Sequence, residues 1–293
     1  MDRTQGLLAF IRSVEAGSFS GGARLLGTTP SAVSRSIARL ERRLEVRLFQ
    51  RSTRSLILTD EGQAYFDRVA PLLHELEAAE EVLRPDGTLS GTLRVTMPTV
   101  LGDVLMDVIV SHFLPAHPGL RLQVSITDRH VDMIAEGFDL ALRAGPLPDS
   151  GLTGRSLGTA PLRLVASPAY LDQMGRPQMP ADLASHQHIR YLAGQRPYPL
   201  LFADGTRMLP DGRLDVDDGT IMLRSALNHA GIAQLLHPVV APHLASGALE
   251  EVLPHFPLTR IALHFLHAFG RRPPTRAQAF MDFVAGQVIA GRQ

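Results

Sequence analysis

Residues 19–35 read Phe19-Ser20-Gly21-Gly22-Ala23-Arg24-Leu25-Leu26-Gly27-Thr28-Thr29-Pro30-Ser31-Ala32-Val33-Ser34-Arg35, two helical signals joined by a turn. Ser20 is placed to N-cap the first helix, which would bury Phe19, Ala23 and Leu26 and end at Gly27. Thr29 is placed to cap the second, with Pro30 at its first position, where a missing N–H costs nothing. Val33, Ile37, Leu40 and Leu44 then form one apolar stripe. The opposite face carries Ser31, Ala32, Ser34, Arg35 and Arg39, with no bulky apolar group. A face of small hydroxyls and long cations can enter a major groove and reach phosphates and base edges. Spacing alone is equally compatible with an ordinary three-helix bundle whose polar face is solvated.

The charge distribution separates those readings. The chain is formally neutral, with 29 basic and 29 acidic residues. Residues 1–60 nevertheless hold ten Arg against five acids, a net of +5, and the remainder is −5. A positive head on a negative body fits a DNA reader joined to a region with another task. The excess sits at Arg35, Arg39, Arg42, Arg43 and Arg47, then at Arg51 and Arg54.

Composition excludes several chemistries. With 293 residues and 45% apolar content, more than one domain is expected. Every one of the 29 cations is Arg, so a P-loop lysine, a kinase lysine and a lysine Schiff base are all ruled out. The chain has no Cys, which removes thiol nucleophiles, disulfides, zinc fingers and iron–sulfur clusters. The first residues are charged rather than apolar, and no run approaches the roughly 18 unbroken apolar residues of a membrane span. A cytoplasmic protein without membrane contact is the expectation.

Working outward, an opening helix places Leu7, Phe10, Ile11 and Val14 on one face and ends near Gly17. After the two helices, Val46 to Thr59 reads as a β-wing, with Leu48-Phe49 inward and Arg51-Ser52-Thr53-Arg54 at its tip. Thr59 is placed as an N-cap, with Asp60 and Glu61 suiting the dipole of the helix that follows. That helix runs to about Arg84 with Phe66, Val69, Leu73, Leu76 and Leu83 three to seven apart, a seam that one helix cannot bury. Pairing with a second copy is expected; packing on its own chain is the other possibility. Pro71 should kink it, and Pro85-Asp86-Gly87 begins a hinge.

From Leu89 the pattern alternates. Leu93–Thr96, Leu120–Ile126, Leu140–Leu142, Leu162–Ala166, Ile189–Leu192, Leu214–Val216 and Ile261–Phe265 read as strands. Helices are expected around Val100–Phe113, near Ile221–His229 and around Ala279–Val288. This implies α/β lobes with largely parallel sheets.

Gly17-Ser18-Phe19, Ala32-Val33-Ser34, Leu40-Glu41, Leu48-Phe49-x-Arg51 and Leu58-Thr59-x-x-Gly62 resemble the N-terminal domain of LysR-type transcriptional regulators. The chain departs from the family's pattern at Glu45, where a glycine usually closes the recognition helix, and at Gly21-Gly22, where alanines are usual. Asp128-Arg129-x-Val131-Asp132, Glu136–Arg143, Ala166-Ser167-Pro168-x-Tyr170-Leu171 and Gly231-Ile232-Ala233 resemble one large subgroup of that family. The resemblance implies an α/β protein overall: an N-terminal winged helix-turn-helix (residues 1–59), a linker or dimerisation helix and hinge (60–88), and a two-lobed, periplasmic-binding-protein-like effector domain (89–293). It places lobe crossings near Ala160 and Ala268, giving lobe I about 89–160 and 269–293 and lobe II about 161–268. It further implies a homotetramer that holds two DNA sites and rearranges with a small-molecule effector.

Catalysis and metal binding are not expected. His186-x-His188 lies in a stretch read as loop. Asp215-Val216-Asp217-Asp218-Gly219 begins like a calcium loop but places its glycine one position early and has Ala226 where a Glu is needed. It reads better as a turn capping a helix near Thr220. The centre of Gly17-Ser18-Phe19-Ser20-Gly21 is Phe19, not a nucleophile. No cofactor is expected.

Two sites remain. Thr29, Pro30, Ser31, Ser34, Arg35 and Arg39, with Arg51, Thr53 and Arg54 of the wing, are the expected contacts to double-stranded DNA, on an interrupted inverted repeat. Thr99 and Val100 at a helix N-terminus, Thr127 at a strand end and Thr220 across the cleft are the expected contacts to a small organic effector, because open α/β sheets bind ligands at the carboxyl ends of their strands. The rival readings are a stand-alone small-molecule binding protein whose head contacts another protein, and, more weakly, an α/β enzyme.

Overall fold

The computed structural model describes residues 3–50, 56–81, 88–129, 131–134, 136–146, 152–269 and 273–290. The chain divides into two compact units: residues 1–88 with 131–139 and 267–277, and residues 89–130 with 140–266 and 278–293. Segments 131–139 and 267–277 were expected with the C-terminal region. They group instead with the head, where Ile134 packs against its core.

In the first unit, α1 (Arg3–Glu15), α2 (Phe19–Leu25) and α3 (Pro30–Leu44) enclose Phe10, Ile11, Ala23, Val33, Ile37 and Leu40. The cap of α2 is Ser18, not Ser20: its side chain accepts the Gly21 N–H at 3.0 Å. The helix starts one residue after Ser18, so Ser20 already lies inside its first turn. Thr29 caps α3 by accepting the Ala32 N–H at 3.3 Å, with Pro30 at the first position. Helix α3 ends on Glu45 at φ 58° and ψ 22°, left-handed backbone that costs an L-residue roughly 1–2 kcal/mol. The turn that glycine usually supplies is therefore kept despite the substitution.

The ends of the wing pair as expected. Phe49 bridges Leu58, and the Gln50 N–H donates to the Ile57 carbonyl at 2.8 Å. Residues 51–55 at its tip lie outside the described residues. Thr59 caps α4 (Asp60–Glu81) by accepting the Gly62 N–H at 2.9 Å while donating to the Arg47 carbonyl at 2.6 Å. A Cβ on Gly62 would lie 2.0 Å from the Leu48 carbonyl oxygen, so the wing root and the helix can meet only over glycine.

Helix α4 is continuous through position 71, and the hinge at Pro85–Gly87 lies outside the described residues. Its expected seam divides. Phe66 and Leu73 are buried in the chain's own core with Val69 packed against it, whereas Leu76 (54% exposed) faces outward, as does Leu72 (62% exposed) beside the seam, and Leu83 lies outside the described residues.

The second unit holds β1 (Gly91–Met97), α5 (Thr99–Val108), a π-helical turn (Ile109–Phe113), α6 (Leu114–Ala116), β2 (Leu120–Ile126) and β3 (Leu140–Ala144). Then come β4 (Thr153–Ala166), α7 (Pro168–Met174), a 3-10 turn (Pro180–Ser185), β5 (His188–Ala193), β6 (Arg196–Pro197), β7 (Leu200–Leu201) and β8 (Arg207–Met208). It continues with β9 (Leu214–Val216), α8 (Gly219–Leu227), β10 (Ile232–Leu236), α9 (His237–Ala245), β11 (Glu250–Val252) and β12 (Arg260–His267). Helix α10 (Thr275–Ala290) closes the chain.

The main sheet runs β2-β1-β3-β12-β4-β10-β5-β6, with β11 on β4 and β9 on β5. It is mixed rather than largely parallel. β1 is parallel to β2 and β3, and β5 to β9 and β10, but β12 opposes β3 and β4 opposes β10 and β11. Long β4 passes through the expected first crossing at Ala160 as unbroken strand. β12 pairs with β3 through Leu263–Leu266, so the chain has returned to the first strand group before that stretch, earlier than the crossing expected near Ala268. Among the described residues one stretch, Thr99–Ala116, has the length and apolar composition of a membrane span. Its buried stripe of Leu101, Leu105, Ile109 and Phe113 is that of a core helix, and Phe113 stacks edge-on against Phe280 of α10.

Candidate functional site

The head presents one coherent surface. On α3, burial of Val33, Ile37 and Leu40 turns Ser31, Ser34, Arg35 and Arg39 outward, and all four are exposed, as are Thr29 and Pro30 before them. The Thr29 and Ser31 hydroxyls lie 3.1 Å apart, and Arg39 donates to the Ser36 hydroxyl at 3.0 Å, an exposed bond that solvent or phosphate could replace. The expected wing contacts Arg51, Thr53 and Arg54 fall outside the described residues. A residue the sequence reading quoted without assigning a role organises the junction. The largely buried Glu41 carboxylate accepts the N–H groups of Leu48 (2.8 Å) and Phe49 (3.3 Å) and pairs with Arg47 at 3.2 Å. A buried acid on the apolar side of a helix was the available signal, because such a group needs partners.

The second unit contains a cavity of about 300 Å³. Of the four expected effector contacts, Val100 and Thr127 line it, and Thr99 and Thr220 are not among its lining residues. The first N–H of that helix, on Thr99, is not open. The Thr99 N–H donates to Asp128 Oδ1 at 2.9 Å, and its hydroxyl donates to Asp128 Oδ2 at 2.8 Å and to Asp218 at 3.3 Å. The Gly219 N–H, at the start of α8, also donates to Asp128 Oδ2, at 2.9 Å. Asp218 caps α8 through the Thr220 and Ile221 N–H groups, as read from sequence, and the Thr220 hydroxyl donates to Asp103 at 3.2 Å. Sequence reasoning identified the donors and missed that the chain supplies the acceptor; Asp128, directly after Thr127, was the signal.

The rest of the cavity wall is polar at only a few points. Arg190 pairs bidentately with Asp215 at 2.6 and 2.8 Å. Arg143 donates to the Leu142 carbonyl at 2.9 Å and the Thr96 hydroxyl at 3.4 Å. Burial pushes the Tyr191 hydroxyl up to about 12, helped by the charges of Asp128, Asp217 and Asp218 and opposed by Arg143. His188 is buried, and its ring nitrogen Nε2 lies 2.9 Å from the Leu183 carbonyl; burial lowers its pKa. Neighbouring His186 lies 3.2 Å from the Tyr170 hydroxyl, so this pair is engaged in packing contacts. Among the described residues no three His, Cys, Asp or Glu side chains gather as metal ligands would.

Residues 4–63 match the family described as bacterial regulatory helix-turn-helix protein, lysR family, and residues 86–288 match the LysR substrate binding domain. The chain belongs to the LysR family. It is 35% identical to the HTH-type transcriptional regulator YhjC of Escherichia coli, over 98% of each chain. It is 32% identical to the HTH-type transcriptional activator AaeR of the same organism, covering 96% of this chain and 93% of the relative. The solved structure of CrgA, a LysR-type transcriptional regulator from Neisseria meningitidis, superposes with a TM-score of 0.63 at 31% identity, over 98% of this chain and 99% of that one. In this LysR-type regulator the exposed face of α3 therefore belongs to a DNA-binding head, and the cavity to the substrate-binding domain. A stand-alone small-molecule binding protein finds no support, since the head itself matches the DNA-binding family.

Proposed function

We propose that this regulator reads a promoter through α3, with Ser31, Ser34 and Arg35 at base edges and Thr29, Pro30 and Arg39 near the backbone, and with Arg51, Thr53 and Arg54 of the wing on phosphates or the minor groove. It acts in the bacterial cytoplasm, without catalysis, as a homodimer joined through the linker helix and assembled into a homotetramer on an interrupted inverted repeat. Its domains follow the sequence division into head (1–59), linker (60–88) and effector region (89–293, less the segments 131–139 and 267–277 that group with the head), the last holding a small molecule between its lobes. One observation carries the reading: α3 buries Val33, Ile37 and Leu40 and leaves a face of hydroxyls and guanidinium groups exposed. The two outward leucines of α4 support pairing of the linkers.

The test is a salt-dependent mobility shift on promoter fragments with Arg39→Ala and Ser34→Ala. Loss of a phosphate contact should weaken binding uniformly across sequences and lower the salt slope by about 1. Loss of a base contact should narrow the gap between cognate and mismatched sites, each mismatch being worth roughly 1–3 kcal/mol. If both variants bound like wild type at every salt concentration, α3 would not be the reading helix.

A further inference from the structure

We infer that the cavity takes an uncharged, largely apolar small molecule whose polar end donates hydrogen bonds, because Asp128 already occupies the place where an effector carboxylate would sit. The inference rests on the reading of this cavity as the effector site.

Three groups define that place. The first N–H groups of α5 and α8 point at one carboxylate, and the Thr99 hydroxyl adds a third donor. Converging helix N-termini are the usual receptor for a small anion. Here the anion is tethered to the chain two residues beyond β2, next to Thr127, so its effective concentration is far above that of any free ligand. The remaining N–H groups at the start of α8 are held by Asp218. A ligand carboxylate would have to displace Asp128 into an apolar wall or settle beside two like charges.

The guanidinium groups of the wall have partners of their own. Arg190 is neutralised by Asp215, and the one other lining guanidinium, Arg143, is engaged by the Leu142 carbonyl and the Thr96 hydroxyl. The Tyr191 hydroxyl is pushed up chiefly by burial, with Asp128, Asp217 and Asp218 adding to that push and Arg143 opposing it. The space itself is apolar, bounded by Val100, Leu101, Ile189, Leu200, Met222 and Ile232. Among the described residues Gln234, which also lines it, has a buried amide oxygen with no hydrogen-bond partner. A buried acceptor without a donor is unfavourable, and a ligand O–H or N–H would satisfy it. An apolar body with a donating end fits each of these features.

The chain contains no tryptophan, so Tyr198→Trp at the cavity wall gives full-length protein a single indole reporter. Benzyl alcohol and benzoate, alike in shape and different in charge, are the probes. Benzyl alcohol should shift the indole emission saturably and raise Tm, and benzoate should do neither at tenfold higher concentration. Adding Asp128→Asn, which keeps the side-chain shape and removes the charge, should raise benzoate affinity at least tenfold. Asp128→Ala, which vacates the place, should do the same and have its Tm restored by benzoate. If benzoate shifted the emission equally well with Asp128 intact, the cavity would remain the effector site but the tethered-anion assignment would be overturned. If either probe raised Tm without touching the indole signal, binding would lie elsewhere and the cavity reading would fall with it. If neither probe acted on the chain with Asp128 intact, the ligand class would be wrong.

Discussion

The Glu41 carboxylate accepts the backbone N–H of Leu48 at 2.8 Å, which ties the last turns of α3 to the root of the wing. Both groups are buried, and the same oxygen also takes the Phe49 N–H. Removing the acceptor strands two buried donors, each hydrogen bond to a charged group being worth about 1.5–3 kcal/mol. Glu41→Ala should cost about 2–4 kcal/mol in urea unfolding, and Glu41→Gln, which keeps one acceptor, about 1. DNA affinity should fall for both without a change in base preference. A loss below about 0.5 kcal/mol in Glu41→Ala would show that the junction is held by something else.

Gly22 reverses an expectation from helix propensity. Two glycines in α2 should weaken it by roughly 0.5–1 kcal/mol each relative to alanine, so Gly22→Ala looks stabilising from sequence. In the fold a Cβ on Gly22 would lie 2.6 Å from Ser13 Oγ and 2.9 Å from Ser13 Cα, because α1 and α2 meet at that point. Ser13 cannot retreat easily, since it is fully buried and its hydroxyl donates to the Ala9 carbonyl at 2.7 Å. Overpacking should win, and Gly22→Ala should lower stability by about 1–3 kcal/mol. A raised thermal midpoint would show that the two helices can separate at little cost.

The linker helix separates folding from assembly. Leu73 is 5% exposed and belongs to the core of its own unit, so Leu73→Glu should unfold the head rather than split a dimer. Leu72 and Leu76, four residues apart and facing outward, are the positions at which charge should act on assembly alone. Sedimentation of Leu76→Glu should give a well-folded species of lower mass with weakened operator binding. A variant that remained at the wild-type mass would move the interface away from α4.

The contrast between those leucines shows what periodicity can and cannot tell. Three- and four-residue spacing identified an apolar stripe on α4, as it did on α3, because burial of a helix face leaves that pattern. It could not say whether the stripe meets its own chain or another, since the hydrophobic effect is blind to which surface excludes the water. Caps were legible where a hydroxyl or carboxylate precedes a helix, as at Thr29, Thr59 and Asp218. Ser18 and Ser20 both suit the role on local chemistry, and packing of Phe19 against Phe49, ring centroids 5.3 Å apart, goes with the earlier start. At the cavity the donors were predictable from strand ends and helix starts. Their occupation by Asp128 depends on contacts 29 and 91 residues apart in sequence, which no local pattern encodes.

His188 gives the fold a dependence on pH whose sign follows from its surroundings. Its pKa is lowered by burial, with further depression from the charges of His186 and Arg190 and partial opposition from the Leu183 carbonyl. The neutral ring is therefore the folded form, while the unfolded chain takes up a proton near the ordinary histidine value of about 6.5. Above that value both states carry the same charge and the group contributes no slope. As the pH falls below it the unfolded state binds more protons, so stability declines, by at most about 1.4 kcal/mol per pH unit for this one group. The decline should end once the pH passes the folded-state pKa. Urea midpoints measured from pH 7.5 down to pH 5 should thus fall in wild type, and His188→Gln should remove up to one proton from that slope while leaving the carboxylate transition at lower pH in place. An identical slope in His188→Gln would mean that the ring already exchanges its proton with solvent in the folded state.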